Sequence, residues 1–393
     1  MTEFYLPAMS VASCLGTGKA ATVAGLLRGR NDGLHRQLGF SVPVGAVGAL
    51  PQLPAEFAPY ASRNNRLLAC LLDDIAPDIA AAKRQFGAHR VAVVLGSSTS
   101  GIAEGEAALG YYRAHGAWPA DFRYAMQEPG SPAIFAARYL GLSGPAYVVA
   151  TACSSGAKAF ASARRLIEGG LADAAIVGGV DTLCRLTIEG FGALASLSSR
   201  ACNPFSVNRD GITIGEGGAV FLMTRQKAEI ALLGIGETSD AHHISAPDPE
   251  GAGARLAMSA ALADAGLAAL EVGYVNLHGT ATPLNDAMES KAVHALFADQ
   301  VPCSSTKAMT GHTLGAAGAV EAALCWLTLS AEWNRERLIP PHLWDGQADP
   351  ALPRLRLSLP GGVFVANRRP VALSSSFAFG GSNCALLLAG ERC

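Results

Sequence analysis

Charge is scarce in this chain. Only 16% of its 393 residues are Asp, Glu, Lys or Arg, and the formal net charge is −2 at pH 7. The basic excess that nucleic-acid binding requires is missing. With half of the residues apolar, so is the polarity of a disordered chain. No apolar run reaches the roughly 18 residues of a membrane span. No CxxC pair occurs, and the nine cysteines, at 14, 70, 153, 184, 202, 303, 325, 384 and 393, are odd in number and scattered. That pattern argues against a zinc site or a disulfide framework and for a reducing, cytoplasmic setting. Val11-Ala12-Ser13-Cys14 looks like a lipoprotein cleavage box, but no Lys or Arg precedes it and Glu3 stands where a signal peptide needs positive charge.

What the chain does have is short apolar runs alternating with Ala-rich segments. Residues 89–95, 146–150, 174–180, 219–224, 272–277, 371–376 and 385–389 read as strands, and runs this apolar suit strands buried on both faces. Residues 156–168, 253–264, 286–297 and 315–329 carry apolar side chains at helical spacing. The alternation predicts an α/β layered fold. The order strand, small-residue turn, helix occurs in both portions, which predicts two similar halves, 1–230 and 231–393.

The segment Tyr147-Val148-Val149-Ala150-Thr151-Ala152-Cys153-Ser154-Ser155-Gly156 runs from an apolar strand through small residues into a helix. Cys153 is therefore expected near a helix N-terminus, where unpaired N–H groups and the helix dipole favour a thiolate and hold an oxyanion. The competing reading is a buried structural cysteine. Two histidines stand at comparable points. His278 follows a strand in Asn276-Leu277-His278-Gly279-Thr280-Ala281-Thr282-Pro283, and His312 precedes a helix that carries Glu321. Lys307 lies five residues before His312, and a nearby cation disfavours imidazole protonation. This predicts a neutral His312 that donates from Nε2 to a developing enolate. Near the C-terminus, Ser374-Ser375-Ser376-Phe377-Ala378-Phe379-Gly380-Gly381-Ser382-Asn383 leaves a strand through paired glycines that permit close approach to a ligand. Gly215-Glu216-Gly217-Gly218 and Gly315-Ala316-Ala317-Gly318 lack the ordered context of a dinucleotide loop.

These segments, together with Asn208-Arg209-Asp210-Gly211 and Lys307-Ala308-Met309-Thr310-Gly311-His312, closely resemble the β-ketoacyl-acyl-carrier-protein synthases of type I/II in both order and spacing. The resemblance covers nearly the whole chain. It implies a thiolase-like α/β fold of duplicated halves in a five-layer αβαβα sandwich, and a dimer, either a homodimer or a heterodimer with a related synthase-like subunit. It also implies decarboxylating condensation of an acyl-enzyme with malonyl-acyl-carrier protein, the substrates riding on a phosphopantetheine arm, with no metal and no other cofactor.

Carried over residue by residue, Cys153 would be the acyl-accepting nucleophile, His278 and His312 the other members of a triad, and Lys307 and Glu321 a supporting pair. The amides of Cys153 and Phe379 would form the oxyanion hole, with Phe379 also gating the pocket. Thr280 and Thr282, with Gly380 and Gly381, would bind substrate. Arg63 and Arg66, one helical turn apart, would dock the acidic carrier protein. The remaining alternatives are a non-condensing chain-length partner and a cysteine acyltransferase or hydrolase.

Two departures from the family pattern stand out. Ala378 occupies the first glycine position of the gating loop, and Gly96-Ser97-Ser98-Thr99-Ser100-Gly101 is rich in hydroxyls. The second raises the expectation of an unsaturated, aryl or polyene chain.

Overall fold

The computed structural model describes residues 3–37, 39–365 and 368–391; Cys393 lies outside them. The N-terminal half contributes strands β1 (Phe4–Ser13), β2 (Val91–Gly96), β3 (Ala146–Val149), β4 (Ala174–Asp181) and β5 (Gly217–Thr224). The C-terminal half contributes β6 (Ala231–Ser239), β7 (Tyr274–Leu277), β8 (Pro302–Ser305), β9 (Val371–Ala378) and β10 (Ser382–Ala389). Their order across the sheet is β3-β2-β4-β5-β1-β6-β10-β9-β7-β8.

Each half follows one plan. The first half runs β2 parallel to β3 and β4, then β5 antiparallel to β4 and β1. The second runs β7 parallel to β8 and β9, then β10 antiparallel to β9 and β6. The halves join where Phe4 and Tyr5 of β1 face Leu232 and Ala231 of β6.

Every residue of β2, β4 and β5 is buried. Helices on both faces explain this, and they explain why the strands read as unbroken apolar runs. Helices α1 (Arg63–Asp74) and α2 (Ser131–Leu140) cover the outer face of the first half; Leu67, Leu68 and Phe135 pack there with Val91 and Ile176. Helices α3 (Ser155–Glu168) and α6 (Ala317–Leu329) share the central layer, where Phe160 and Trp326 join Val94, Phe221 and Leu386. Helices α4 (Ala252–Ala265) and α5 (Pro283–Phe297) close the far face through Met258, Val293, Val275 and Leu387. The result is the five-layer αβαβα sandwich.

Three of the four expected helices extend by one to three residues, whereas α6 starts at Ala317, two residues late, behind a 3-10 turn at Leu314–Ala316; Pro283 opens α5 in the first turn, where its missing N–H costs nothing. The apolar pattern left β1, β6 and β8 unassigned. Val11-Ala12-Ser13 belongs to β1, in the middle of the sheet and buried. All eight described cysteines are free thiols. Among the described residues, no helix is long and apolar enough to cross a membrane.

Candidate active site

The first wall of the site is the turn between β3 and α3. Ala152 is held at φ 51°, a left-handed conformation that costs a non-glycine residue about 1–3 kcal/mol. Two neighbouring hydroxyls hold it there. Ser155 Oγ accepts from the Thr151 N–H (2.9 Å) and donates to the Ala152 carbonyl (2.6 Å), while Ser154 Oγ donates to the Thr151 carbonyl (2.9 Å). Gly156 lets α3 begin against α6, since a Cβ there would sit 2.9 Å from the Gly315 carbonyl oxygen and the Ala319 nitrogen. Small residues in this segment are thus required by close packing.

The opposite wall comes from the C-terminal half. His278 leaves β7, and its N–H and that of Gly279 both donate to Glu289 on α5, each at 2.7 Å. The His312 N–H donates to the Thr213 carbonyl (2.7 Å), and its carbonyl accepts from the Gly215 N–H (2.9 Å). The glycine-rich stretch around residue 215 is therefore a backbone brace for His312.

These walls bring Cys153, His278 and His312 together, with one polar atom of each within 4.8 Å of the others. His312 Nε2 lies 3.0 Å from Cys153 Sγ. The two imidazole rings meet edge to face, 5.4 Å between centroids. Lys307 Nζ is 3.3 Å from His278 Nδ1 and also donates to the His278 carbonyl and to Glu321. Lys307 makes its hydrogen bonds to His278 and Glu321, not to His312, its nearer neighbour in the chain, which feels its charge. Because an ammonium can only donate, His278 Nδ1 is the acceptor and its ring proton sits on Nε2, facing the cavity.

Burial first, then the Lys307 charge, holds both imidazoles well below the ordinary histidine pKa; the proximity of His312 adds to the effect on His278. A Cys/His/His set has the donor types of a zinc site. The tautomer of His278 and the adjacent ammonium oppose a cation, and suit an anionic oxygen instead.

The thiol reverses one expectation. Burial pushes Cys153 up to about 11, against the opposing pull of Lys307 and of the Phe379 and Cys153 N–H groups. Cys153 sits just ahead of Ser154, the N-cap of α3, and is 8% exposed. Desolvation outweighs the helix terminus, so the resting sulfur is a thiol. Glu321, enclosed with Lys307, is raised to about 7 by burial.

From these groups a cavity of about 200 Å³ opens past Thr280, Thr282, Leu284 and Phe191. The two threonine hydroxyls are 3.0 Å apart. Phe379, 39% exposed, rests on Phe191 with ring centroids 5.6 Å apart. Gly380 and Gly381 adopt φ of 81° and 74°, which explains glycine at both positions. Ala378 is extended, at φ −113° and ψ 155°, so its Cβ is accommodated without strain.

Arg63 and Arg66 are placed differently from the docking expectation. Arg63 pairs with the buried Glu216 and donates to the Val47 carbonyl (2.7 Å), and Arg66 donates to the carbonyls of Leu50 (2.6 Å) and Pro51 (3.0 Å). Both guanidinium groups brace the 47–51 segment; the Arg63 charge is met by Glu216, while Arg66, half-buried, bonds backbone carbonyls that leave its charge in place. The hydroxyl-rich run is also structural. Asp181 accepts from the hydroxyls of Ser97 and Thr99 and from the N–H groups of Ser98, Thr99 and Ala316. The hydroxyls of Ser97 and Thr99 thus serve to hold Asp181.

Sequence reasoning missed Asp181, Glu289 and Asp286, three buried carboxylates that hold backbone N–H groups around the site. The signal for two of them was present: Asp286 and Glu289, three residues apart, fall on the buried face of α5.

Comparison with known proteins gives consistent relatives. Residues 60–228 match the family described as beta-ketoacyl synthase, N-terminal domain, and residues 229–343 its C-terminal domain. The chain is 37% identical over 270 residues to the mitochondrial 3-oxoacyl-[acyl-carrier-protein] synthase of Arabidopsis thaliana, and 38% over 266 residues to 3-oxoacyl-[acyl-carrier-protein] synthase 2 of Rhizobium meliloti. Each match covers 63% of this chain, but only 57% and 61% of the respective relative. Among solved structures, it is similar to the ketosynthase ApeO, in complex with its chain length factor ApeC, from Xenorhabdus doucetiae, with 44% identity, a TM-score of 0.92 and coverage of 99% of this chain and 98% of that one. It is also similar to a beta-ketoacyl synthase from Burkholderia phymatum, with 27% identity, a TM-score of 0.87 and full coverage of both chains.

Proposed function

The chain belongs to the β-ketoacyl synthase family, and from that membership we propose that it condenses an enzyme-bound acyl group with malonyl-acyl-carrier protein, releasing carbon dioxide and a 3-oxoacyl chain on the carrier. The observation that carries this reading is the 3.0 Å approach of His312 Nε2 to Cys153 Sγ, with a second imidazole, His278, 5.4 Å from His312 between centroids and lining the same cavity.

In the first half-reaction the Cys153 sulfur attacks the acyl thioester of a carrier protein. Its proton goes to the departing pantetheine thiolate, while His312 keeps its Nε2–H on the sulfur and stays neutral for the next step. The N–H groups of Cys153 and Phe379 stabilise the tetrahedral oxyanion. In the second, the malonyl carboxylate leaves as carbon dioxide, and its electron pair becomes an enolate held by the Nε2–H donors of His278 and His312. The enolate carbon attacks the Cys153 thioester. Collapse of the adduct expels the Cys153 thiolate, which takes up one proton. Lys307 keeps the imidazoles neutral, and Glu321 balances its charge. Thr280, Thr282 and the Gly380-Gly381 backbone are the groups offered to the pantetheine arm. The chemistry asks for no metal or further cofactor. The partners are the acyl-carrier protein and, by analogy with the ApeO–ApeC complex, a related synthase-like subunit. The intact Cys153 favours the condensing role over a chain-length role.

The test is Cys153→Ala assayed with acyl-carrier and malonyl-carrier thioesters. The wild type should show an acyl adduct by intact mass, and carbon dioxide release matched to chain growth; the variant should show no adduct and no growth. Chain elongation by Cys153→Ala sinks the proposal. Free acid released without malonyl consumption would identify a hydrolase instead.

A further inference from the structure

Phe379, Gly380 and Gly381 form the tip of the β9–β10 hairpin, and Ala378 and Ser382 form its base. The tip holds the left-handed glycines; the base has no such freedom. Ser382 is half-buried, and its Oγ lies 3.2 Å from the Oγ of Ser154, the residue that follows Cys153. Ser154 Oγ is also 2.9 Å from the Thr151 carbonyl and 3.0 Å from Thr151 Oγ1. A hydroxyl offers one hydrogen and two lone pairs. The Ser154 hydrogen is shared between the Thr151 carbonyl and Ser382 Oγ, and a lone pair accepts from Thr151 Oγ1. The two sides of the hairpin base thus differ: Ala378 contributes no side-chain hydrogen bond, while Ser382 accepts one from the nucleophile turn.

We propose that Ser382 is a positioning residue, pinning the base of the Phe379 hairpin to the turn that carries Cys153. The Phe379 N–H then stays on the sulfur while the backbone beyond it moves about Gly380 and Gly381. The kinetic consequence rests on the condensing reading above; the effect on thiol reactivity does not.

The experiment compares wild type, Ser382→Ala and Ser382→Thr by two readouts: acylation of Cys153 by an acyl-carrier thioester, and alkylation of Cys153 by iodoacetamide. Losing one neutral hydrogen bond corresponds to about 3–10-fold. Ser382→Ala should acylate about 3–10-fold more slowly at unchanged KM, because the oxyanion donor is no longer held in place. It should also alkylate about 3–10-fold faster, because the loosened hairpin uncovers the thiol. Ser382→Thr keeps the hydroxyl and should restore both. Ser382→Ala with either rate unchanged, or Ser382→Thr behaving like Ser382→Ala, overturns the proposal. Should wild type fail to acylate while the alkylation pattern holds, the condensing reading fails and the pin stands.

Discussion

The two halves carry the same five strands in the same order and directions, and both place a residue of the candidate site between the third strand and the central-layer helix. In the N-terminal half that residue is Cys153, ahead of α3; in the C-terminal half it is His312, ahead of α6. The helices behind them differ. Helix α3 carries Lys158, Arg164 and Arg165, which pair with Glu237 and Asp264 at the seam between the halves. Helix α6 is buried along all 13 residues, with Glu321 its one charge. Duplication thus supplies two facing turns, and the buried charge has been placed behind only one of them. Lys307 touches His278 and Glu321, and among the described residues no cation is hydrogen-bonded to the sulfur. The imidazoles are kept neutral and donating, and the thiol is left to burial.

That division is broken most sharply at the imidazoles. His278→Ala removes a donor from the enolate without touching Sγ. Malonyl decarboxylation should fall by about 10²–10³, while acyl transfer to Cys153 persists. His312→Ala should slow both half-reactions, because its Nε2 sits on the sulfur. Carbon dioxide release and intact-mass acylation measure the two separately. If His278→Ala loses acylation as completely as decarboxylation, the two imidazoles do not divide the work.

The thiol offers the next test. Its pKa is raised to about 11, so the thiolate fraction keeps growing through the alkaline range. Iodoacetamide alkylation of Cys153 should rise about tenfold per pH unit from pH 7 to 9, with no levelling at the ordinary thiol pKa near 8.5. No step should appear near pH 6.5, because both histidines are neutral on either side of it. A plateau below pH 9 would show that the helix terminus prevails over burial after all.

Much of this arrangement is legible in the sequence, and what is not has a common cause. Continuous apolar runs announce β2, β4 and β5 because both faces are covered. The small-residue turns announce Cys153 and His312 because strand and helix meet there at close quarters. Strand β1 hides because Ser10 and Ser13 interrupt its apolar run although both are buried. Contacts across the fold leave no local trace. Asp181 reads as a surface acid until Ala316, 135 residues away, donates to it. Sequence proximity tied Lys307 to His312, whose imidazole its charge does keep neutral; the fold also carries it into contact with His278, 29 residues back. Helix position alone lowers the Cys153 pKa, and only the enclosed site shows how large the opposing desolvation is.

The smallest expected effect separates two charges that look alike in sequence, and sets a rim ion pair against the sealed one behind His278. Lys307 and Glu321 are 1% and 3% exposed, whereas Arg63 is 31% exposed over a Glu216 that is 1% exposed. Arg63→Gln leaves the Glu216 carboxylate buried with only the N–H groups of Val47 and Leu183. Water reaching the vacated side lessens the penalty, so the loss of stability should be about 1–3 kcal/mol in urea unfolding. Arg66→Gln forfeits bonds to two backbone carbonyls at the protein's edge and should cost no more than about 0.5 kcal/mol. Neither change should alter KM for the carrier protein, because both guanidinium groups face their own chain. A raised KM at unchanged stability would return these arginines to a docking surface, and the difference between the rim pair and the sealed pair would then reflect recognition instead of folding.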